Sequence, residues 1–417
     1  MNHIYLDYNA TTPPDPLVVE KMLPYLREGF GNPSSIHWAG RVAKNALIRA
    51  RESVAALLHA DPSEILFTSS GTESINLAIK GSFWANPEKR HFITTTVEHP
   101  ATLEAHKWLL EQGCEVTFLP VDKSGRLDLE TLSNTLRKDT NLVSIMYANH
   151  ETGVIFPIDE ISEITKRYDI PLNCDGTQAV GKVGIDLNTL PVDFFSFSAH
   201  KFHGPKGAGG LFVREGSRLK PLIHGGGQEK MRRGGTEALP QIVGLGAAAD
   251  VLKTAKQHIE DRLRELKLFL ESKLEVIPGV MIVGRESRRI PNTTMIIVDG
   301  IASESLLLNL DLHGIAVSSG AACSSGKLEP SAVLQAMGFT REEASSSLRI
   351  SYGKETTEEG LDIFVKVLVE ILNRLSVIDA IGDGGKLPIN RTPRITKAQD
   401  LGTLPPSPIG EYLGNYV

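Results

Sequence analysis

One lysine in this chain stands in a setting that suits covalent chemistry. Lys201 follows the apolar run 194–197 and precedes a glycine-rich segment, residues 204–210. Glycines permit tight turns and close approach of the backbone, so we expect Lys201 at a strand end and partly removed from water. Desolvation disfavours the ammonium, which lowers the pKa of a lysine and leaves a neutral amine for Schiff-base formation. The ordinary alternative is a solvated loop lysine.

An aspartate upstream of this lysine supports the chemical interpretation. Asp175 ends the run 170–175, which we predict to be a buried strand. A carboxylate there can keep the ring nitrogen of pyridoxal phosphate (PLP) protonated, and the protonated ring acts as an electron sink. Gln178 and His200 lie in the two segments that would flank such a ring.

A possible phosphate site lies nearer the N-terminus, in residues 69–74 (SSGTES), which join a short apolar strand to a predicted helix. Free backbone N–H groups at a helix N-terminus, together with small hydroxyls, can hold a phosphate without a cationic side chain. Simple N-capping by serine or threonine is the alternative. The segment is not a Walker loop, because the sequence lacks the pattern GxxxxGK[ST].

Five spaced motifs resemble the cysteine desulfurase family, the NifS and IscS type of fold-type I PLP enzyme. They are TSSGTES, CDGTQAVGK, SAHKFHGPKGAGG, GGTEALPQIVG and SSGAACSSG, and the match is collinear from about Ile4 to about Leu375. The resemblance implies removal of sulfur from L-cysteine, giving L-alanine and a persulfide that passes to acceptor proteins such as an iron–sulfur scaffold. A selenocysteine lyase, another fold-type I PLP enzyme such as an aminotransferase, and a non-catalytic sulfur-carrier scaffold remain alternatives.

The resemblance also implies roles for individual residues around the cofactor. Lys201 would bind PLP covalently and Asp175 would contact its ring nitrogen. His99 matches the histidine that stacks on the ring and moves protons, and Gln178 matches the donor to the phenolic oxygen. The matches to the phosphate ligands are Gly71, Thr72, Ser198, His200 and, across a homodimer interface, Thr236.

One position departs from the family pattern. The family commonly reads Asn-Asn-Glu after its fourth strand, with the second asparagine touching the cofactor, whereas this chain reads Asn149-His150-Glu151. His150 therefore occupies the contact position, and an imidazole can donate one hydrogen bond as an amide does. Asn149 remains the alternative contact.

Substrate handling is implied for three further residues. Arg349, in an alternating strand-like segment, matches the guanidinium that holds the substrate α-carboxylate, and Asn32 is a second candidate for that carboxylate. Cys323 is flanked by small residues, which predict an exposed loop where a thiol can react, and it matches the persulfide-forming nucleophile. Cys114 and Cys174 adjoin apolar strand residues and are interpreted as structural.

Composition restricts the class of protein. Of 417 residues, 41% are hydrophobic and 23% charged, which is ordinary for a soluble globular protein, and the net charge of −6 disfavours nucleic acid as a partner. We found no apolar run long enough for a membrane span and no signal or transit peptide, and three widely spaced cysteines do not suggest a disulfide framework. We therefore expect a cytoplasmic protein, without a metal site.

Alternating strand and helix segments predict an α/β protein with a mostly parallel central sheet covered by helices on both faces, plus a smaller α+β domain. We predict an N-terminal segment (residues 1–15) that joins the small domain, and a large PLP-binding domain (16–255). The small C-terminal domain (256–380) would carry the cysteine loop, followed by a disordered or draped tail (381–417) rich in proline and glycine.

Overall fold

The computed structural model describes residues 3–320, 323–324 and 327–382; for residues 256–257, 323–324, 327–328 and 376–382 it describes the backbone alone. The strands are β1 (Ile4–Tyr5), β2 (Ile65–Thr68), β3 (His91–Thr95), β4 (Glu115–Leu119), β5 (Thr140–Met146), β6 (Leu172–Asp175), β7 (Phe194–Ser198), β8 (Gly209–Val213), β9 (Val280–Ile282), β10 (Thr293–Val298), β11 (Ile315–Ala316), β12 (Cys323–Ser324), β13 (Lys327–Leu328) and β14 (Ser347–Ser351). The helices are α1 (Pro16–Arg27), α2 (Trp38–Leu58), α3 (Gly71–Ala85), α4 (Pro100–Glu111), α5 (Leu129–Thr135), α6 (Ile158–Arg167), α7 (Leu239–Leu274), α8 (Ser303–Leu312), α9 (Ala332–Ala336), α10 (Arg341–Ser345) and α11 (Glu358–Gly382).

A seven-stranded sheet with the order β2-β8-β7-β6-β5-β3-β4 forms the centre of the protein. Its inner pairings are parallel, and only β8 runs against its neighbours. Successive residues of one strand enter different cores: Phe194 and Leu142 pack in one cluster, Phe195 and Val143 in another. The sheet is therefore buried on both faces, as parallel sheets are. This confirms the predicted fold class.

A smaller antiparallel sheet with the order β14-β10-β9 lies in the C-terminal part of the chain. It packs with α8, α11 and the second half of α7 around a separate apolar core, which also contains Leu6 from the N-terminus. Strand β1 pairs in parallel with β11, so the first residues of the chain join this unit.

Helix α7 belongs to both units. Leu245 and Leu252 pack in the core of the large sheet, whereas Leu266 and Leu270 pack in the small one. The predicted boundary after residue 255 falls inside this helix, so the domain limits stay a prediction. Of the predicted tail, residues 383–417 lie outside the described residues. In the part that is described, no helix combines the length and the apolar character that crossing a membrane requires.

Candidate active site

Lys201 lies where two parallel strands of the large sheet end. Strand β7 is followed at once by a single 3-10 turn, Ala199–Lys201, and its Ser196 pairs with Asp175, the last residue of β6. The lysine Nζ donates to the carbonyl oxygens of Asn9 (2.6 Å) and Ala10 (2.9 Å), which belong to the N-terminal segment. Burial, assisted by the positive charge of Arg349, lowers the pKa of Lys201 to about 8. A neutral amine is therefore accessible near neutral pH.

Asp175 is buried beside this lysine. Its Oδ1 accepts hydrogen bonds from the backbone N–H of Thr177 (2.9 Å) and the hydroxyl of Ser196 (3.3 Å). The negative charge of Asp175 opposes the lowering of the pKa values of both Lys201 and His99, which places the three groups in one electrostatic neighbourhood. The carboxylate is thus held by donors and is available to a cationic ring nitrogen.

Two histidine rings, those of His99 and His150, contact each other near Asp175. His99 caps α4, with its Nδ1 accepting from the N–H of Ala101 (3.1 Å), so that nitrogen carries no proton. Its ring lies edge-on to His150, with ring centroids 5.2 Å apart. Burial lowers the pKa of His99, and burial together with nearby positive charges lowers the pKa of His150 well below its usual value. Both rings are neutral at neutral pH.

His150 and the neighbouring Asn149 differ in how far their side chains are already hydrogen-bonded. The Asn149 amide is used within its own loop: Nδ2 donates to Val97 O (3.0 Å), and Oδ1 accepts from the N–H groups of Glu151 and Thr152 (both 2.9 Å). By contrast, His150 Nδ1 is buried and has no hydrogen-bond partner among the described residues. The geometry therefore favours His150.

Three residues, Gly71, Thr177 and Ser198, form a cup at the N-terminus of α3. Gly71 begins the helix, and Ser70 caps it by accepting from Glu73 N–H. A Cβ at Gly71 would lie 3.0 Å from Thr177 Oγ1 and 3.6 Å from Ser198 Cβ, so the three residues converge. The hydroxyls of Thr177 and Ser198 are buried and have no partner in the described part of the protein. Two unpaired hydroxyls at a helix N-terminus fit a phosphate.

The other predicted phosphate ligands are placed less directly. Thr72 lies in the first turn of α3. The His200 ring is hydrogen-bonded through Nδ1 to Thr11 Oγ1 (3.2 Å), and burial with neighbouring lysines lowers its pKa to about 4, so it is neutral. Thr236 is exposed on a loop that is linked to α3 by the ion pair between Arg233 and Glu73 (2.9 Å).

Arg349 reaches the site from β14 of the small sheet. One guanidinium nitrogen, Nη2, is paired with Asp7 Oδ1 at 2.7 Å, and Nη1 donates to His150 O at 3.0 Å. The remaining Nε is buried without a partner among the described residues. Asn32 is not brought to the site by any contact in the described part of the protein: it is exposed, and its Oδ1 accepts from Ser34 N–H in its own turn.

The predicted nucleophile lies in a region described by its backbone alone. Cys323 is in β12, where it pairs with Leu328 of the antiparallel strand β13, and only its backbone is described. The thiols of Cys114 and Cys174 are buried, and burial raises the pKa of each, so neither is a ready nucleophile. Within the described residues no group of three or more His, Cys, Asp or Glu could hold a metal ion.

Comparison with known proteins was made for the sequence and for the fold. The Aminotransferase class-V family model matches residues 4–364. The chain is 48% identical over 382 residues to "Cysteine desulfurase" of Nostoc sp. strain PCC 7120, covering 91% of this chain and 95% of that one. The chain belongs to the cysteine desulfurase family. It is also 46% identical to "Cysteine desulfurase IscS" of Methanosarcina thermophila, over 89% of this chain and 92% of the relative.

A solved structure titled "NifS-like protein" superposes on this cysteine desulfurase family member with a TM-score of 0.84, at 40% identity, covering 89% of this chain and all of that one. The fold is therefore that of the fold-type I enzymes. As a member of this family the protein is a PLP-dependent enzyme. The resemblance predicted from the five motifs is confirmed at the level of the family.

The residues of this family member fit PLP. The unpaired hydroxyls at the start of α3 match a phosphate, and the buried Asp175 matches a protonated ring nitrogen. The Lys201 amine, which donates to the Asn9 carbonyl oxygen, matches the amine that binds the cofactor. When bound, PLP supplies the electron sink for reactions at a substrate α-carbon. Thr177 was not predicted from the sequence as a ligand, although it lies within the motif CDGTQAVGK.

Proposed function

We propose that this protein is a cysteine desulfurase that takes sulfur from L-cysteine, releases L-alanine and passes the sulfur from Cys323 to an acceptor protein. The observation that carries the proposal is the convergence of three features at one sheet edge: the unpaired hydroxyls at the start of α3, a buried carboxylate and the Lys201 amine. It is supported by 48% identity, over nine tenths of the chain, to a protein named cysteine desulfurase.

The chain's own groups have distinct tasks in this reaction. Arg349 would bind the substrate carboxylate, and the amine of Lys201 would hold PLP and move the proton of the substrate α-carbon. The His99 ring is neutral and its Nδ1 accepts a hydrogen bond, so the ring proton is on Nε2, from which His99 can donate it. Asp175 would hold the ring nitrogen of PLP.

Sulfur transfer requires a thiolate. The Cys323 thiolate attacks the substrate sulfur, an S–S bond forms as the C–S bond breaks, and the electron pair of that bond stays with the carbon skeleton, which takes up protons and leaves as alanine. The small residues around Cys323 suit a thiol that must reach both the substrate and an acceptor. An iron–sulfur scaffold is the proposed acceptor class, since several relatives are named IscS.

A homodimer in the cytoplasm is the proposed working form. Large apolar side chains lie exposed on and around α1 and α2, and a second copy would cover such a surface. They include Leu17, Leu26, Phe30, Ile36, Trp38 and Val42. In this arrangement the exposed Thr236 of each subunit reaches the phosphate held by its partner.

Product analysis tests the function. The purified protein, loaded with PLP and given L-cysteine, should form alanine and a protein persulfide, and borohydride should fix PLP to Lys201. Cys323→Ala should bind PLP normally but lose persulfide formation and nearly all alanine production, whereas the buried-thiol control Cys114→Ala should keep both. Undiminished alanine formation by Cys323→Ala would refute the persulfide route. A parallel assay with L-selenocysteine distinguishes a selenocysteine lyase.

A further inference from the structure

A second lysine is buried close to the proposed cofactor site and has no role in the mechanism above. The Nζ of Lys182 donates to Asn9 Oδ1 (3.0 Å) and to Oε1 of Gln178, which lies 4 residues earlier in the sequence. No carboxylate lies within ion-pair distance of this amine among the described residues, and its charged neighbours, Lys201 and Arg349, are both cationic. Burial lowers the pKa of Lys182 well below its usual value. Fully buried lysines without an acidic partner are rare.

The chemistry of lysine fixes the orientation of the amide that it contacts. An amine at the end of a lysine donates its hydrogens to oxygens, whereas an amide has an oxygen that accepts and a nitrogen that donates. Gln178 must therefore present Oε1 to Lys182, and its Nε2 must point to the opposite side. There, one N–H donates to Asn9 O (3.0 Å). The second N–H of Gln178 has no partner among the described contacts.

That second N–H lies beside the amine that binds the cofactor. The carbonyl oxygen of Asn9 accepts from Gln178 Nε2 at 3.0 Å and from Lys201 Nζ at 2.6 Å, so both nitrogens lie around one oxygen atom. In PLP the phenolic oxygen is adjacent to the carbon that a lysine attacks. A donor next to Lys201 would therefore be within reach of the phenolic oxygen of bound PLP, which is the contact that the family match implies for Gln178.

The same lysine also helps to orient a second amide. Asn9 Oδ1 accepts from Lys182 and from Asn292 Nδ2 (3.1 Å), which turns Asn9 Nδ2 toward Thr293 Oγ1 (2.8 Å) and His150 O (3.2 Å). While Lys182 is present, the oxygen and nitrogen of the Asn9 side-chain amide therefore cannot swap places, and the N-terminal segment is held in one arrangement.

We propose that Lys182 is a positioning residue that holds the Gln178 carboxamide with its N–H directed at the phenolic oxygen of PLP. Without this lysine only the Asn9 carbonyl, which accepts from Gln178 Nε2, still opposes a turn of the amide. A turned amide would present its oxygen to that phenolic oxygen, which removes a hydrogen bond and adds a repulsion. The proposal rests on the proposed cofactor contacts of Lys201 and Gln178 and goes beyond them, because it assigns Lys182 a role that acts through Gln178 and Asn9.

The test is a pH titration of the visible absorption band of the PLP that is bound to Lys201. A donor to the phenolic oxygen favours the unprotonated form of the lysine–cofactor link, so its loss raises the midpoint of the titration. Lys182→Met should raise the midpoint by about one pH unit, in line with one hydrogen bond to a charged oxygen. Gln178→Ala should raise it similarly, and the double variant should shift it no further.

Two variants separate positioning from a general loss of structure. Lys182→Arg keeps a side chain that only donates, so it should retain the parental midpoint. Lys267→Met removes a half-buried lysine, whose Nζ donates to Ile290 O (2.9 Å), and should lower the melting temperature without moving the midpoint. Should Lys182→Met not fold, Lys182→Arg decides the matter by the same measurement.

Three results would overturn the role of Lys182. They are an unchanged midpoint in PLP-loaded Lys182→Met, a Lys182→Met shift that persists undiminished in the Gln178→Ala background, and a folded Lys182→Arg protein whose midpoint moves like that of Gln178→Ala. Failure of the proposed function has a different signature: the PLP-loaded parent protein would then form no alanine and no persulfide from L-cysteine, whatever the midpoint of its titration.

Discussion

Replacing Arg349 by lysine should weaken binding of the substrate carboxylate about ten- to a hundredfold. In the structure the guanidinium uses Nη2 on Asp7 and Nη1 on His150 O, and its Nε has no partner in the described part of the protein. A planar fork can turn two parallel N–H groups toward a carboxylate, whereas an ammonium offers a single point of charge. Lysine at position 349 therefore keeps the charge and loses the bidentate contact.

The magnitude follows from the character of the site. A hydrogen bond to a charged group contributes roughly 1.5–3 kcal/mol, and each 1.4 kcal/mol corresponds to about tenfold in affinity. Solvent screening reduces this little, because the Arg349 side chain is 8% exposed and the Asp7 side chain 21% exposed. Since Asp7 competes with the substrate for Nη2, Asp7→Asn should leave the KM for L-cysteine unchanged or lower it.

The assay is the rate of alanine formation as a function of L-cysteine concentration, with PLP content measured on the same samples. Arg289→Lys is the matched control, because Arg289 makes a buried bidentate pair with Glu271 (2.8 and 2.9 Å), and neither side chain bonds to a proposed cofactor or substrate ligand among the described residues. It should lower the melting temperature and leave KM unchanged. If Arg349→Lys shows the same behaviour as this control, the substrate carboxylate is held by another group and the reasoning is refuted.

Three further predictions concern protonation and assembly. Burial raises the pKa of Glu98 to about 8, so the folded protein keeps a proton that the unfolded chain releases above about pH 4.5, and stability falls as pH rises between these values. Glu98→Gln should remove that fall and melt at a higher temperature than the parent at pH 9; equal melting temperatures there would contradict a buried protonated carboxyl. The rate at which Lys201 forms its borohydride-reducible link to PLP should rise through about pH 8, and a midpoint near 10.5 would show a solvated amine. Lys201→Ala mixed with Thr236→Asp should regain activity after subunit exchange, and no regain after proven exchange would exclude a shared site.

The sequence was sufficient for those parts of the protein that depend on local pattern. Alternating strand and helix segments predicted the parallel sheet, because each strand and helix shows its own periodicity and turn residues. Lys201 and Asp175 could be singled out because each adjoins the end of an apolar strand. Family resemblance then supplied roles that spacing alone does not contain.

Contacts between distant segments could not be read from the sequence. Asn9 meets Lys182, Lys201 and Asn292 only after the chain has folded, and no local pattern marks it as a central residue. The preference for His150 over Asn149 as the proposed cofactor contact likewise rests on the folded structure, because the Asn149 amide is already hydrogen-bonded to backbone groups of its own loop. Long-range hydrogen bonds of this kind follow from topology and not from propensity.

The N-terminal segment has a consequence for the order in which the protein can be completed during synthesis. Asp7 pairs with Arg349, and the N–H of Tyr8 donates to Ser351 O (3.1 Å), both in β14. The neighbouring Asn9 meanwhile binds Lys201 in the large sheet. Because Asp7 precedes Arg349 by 342 residues, this segment is synthesised long before its partners in β14. Contacts of such long sequence separation form slowly, so the lysine pocket should close late in folding, after the large sheet has formed.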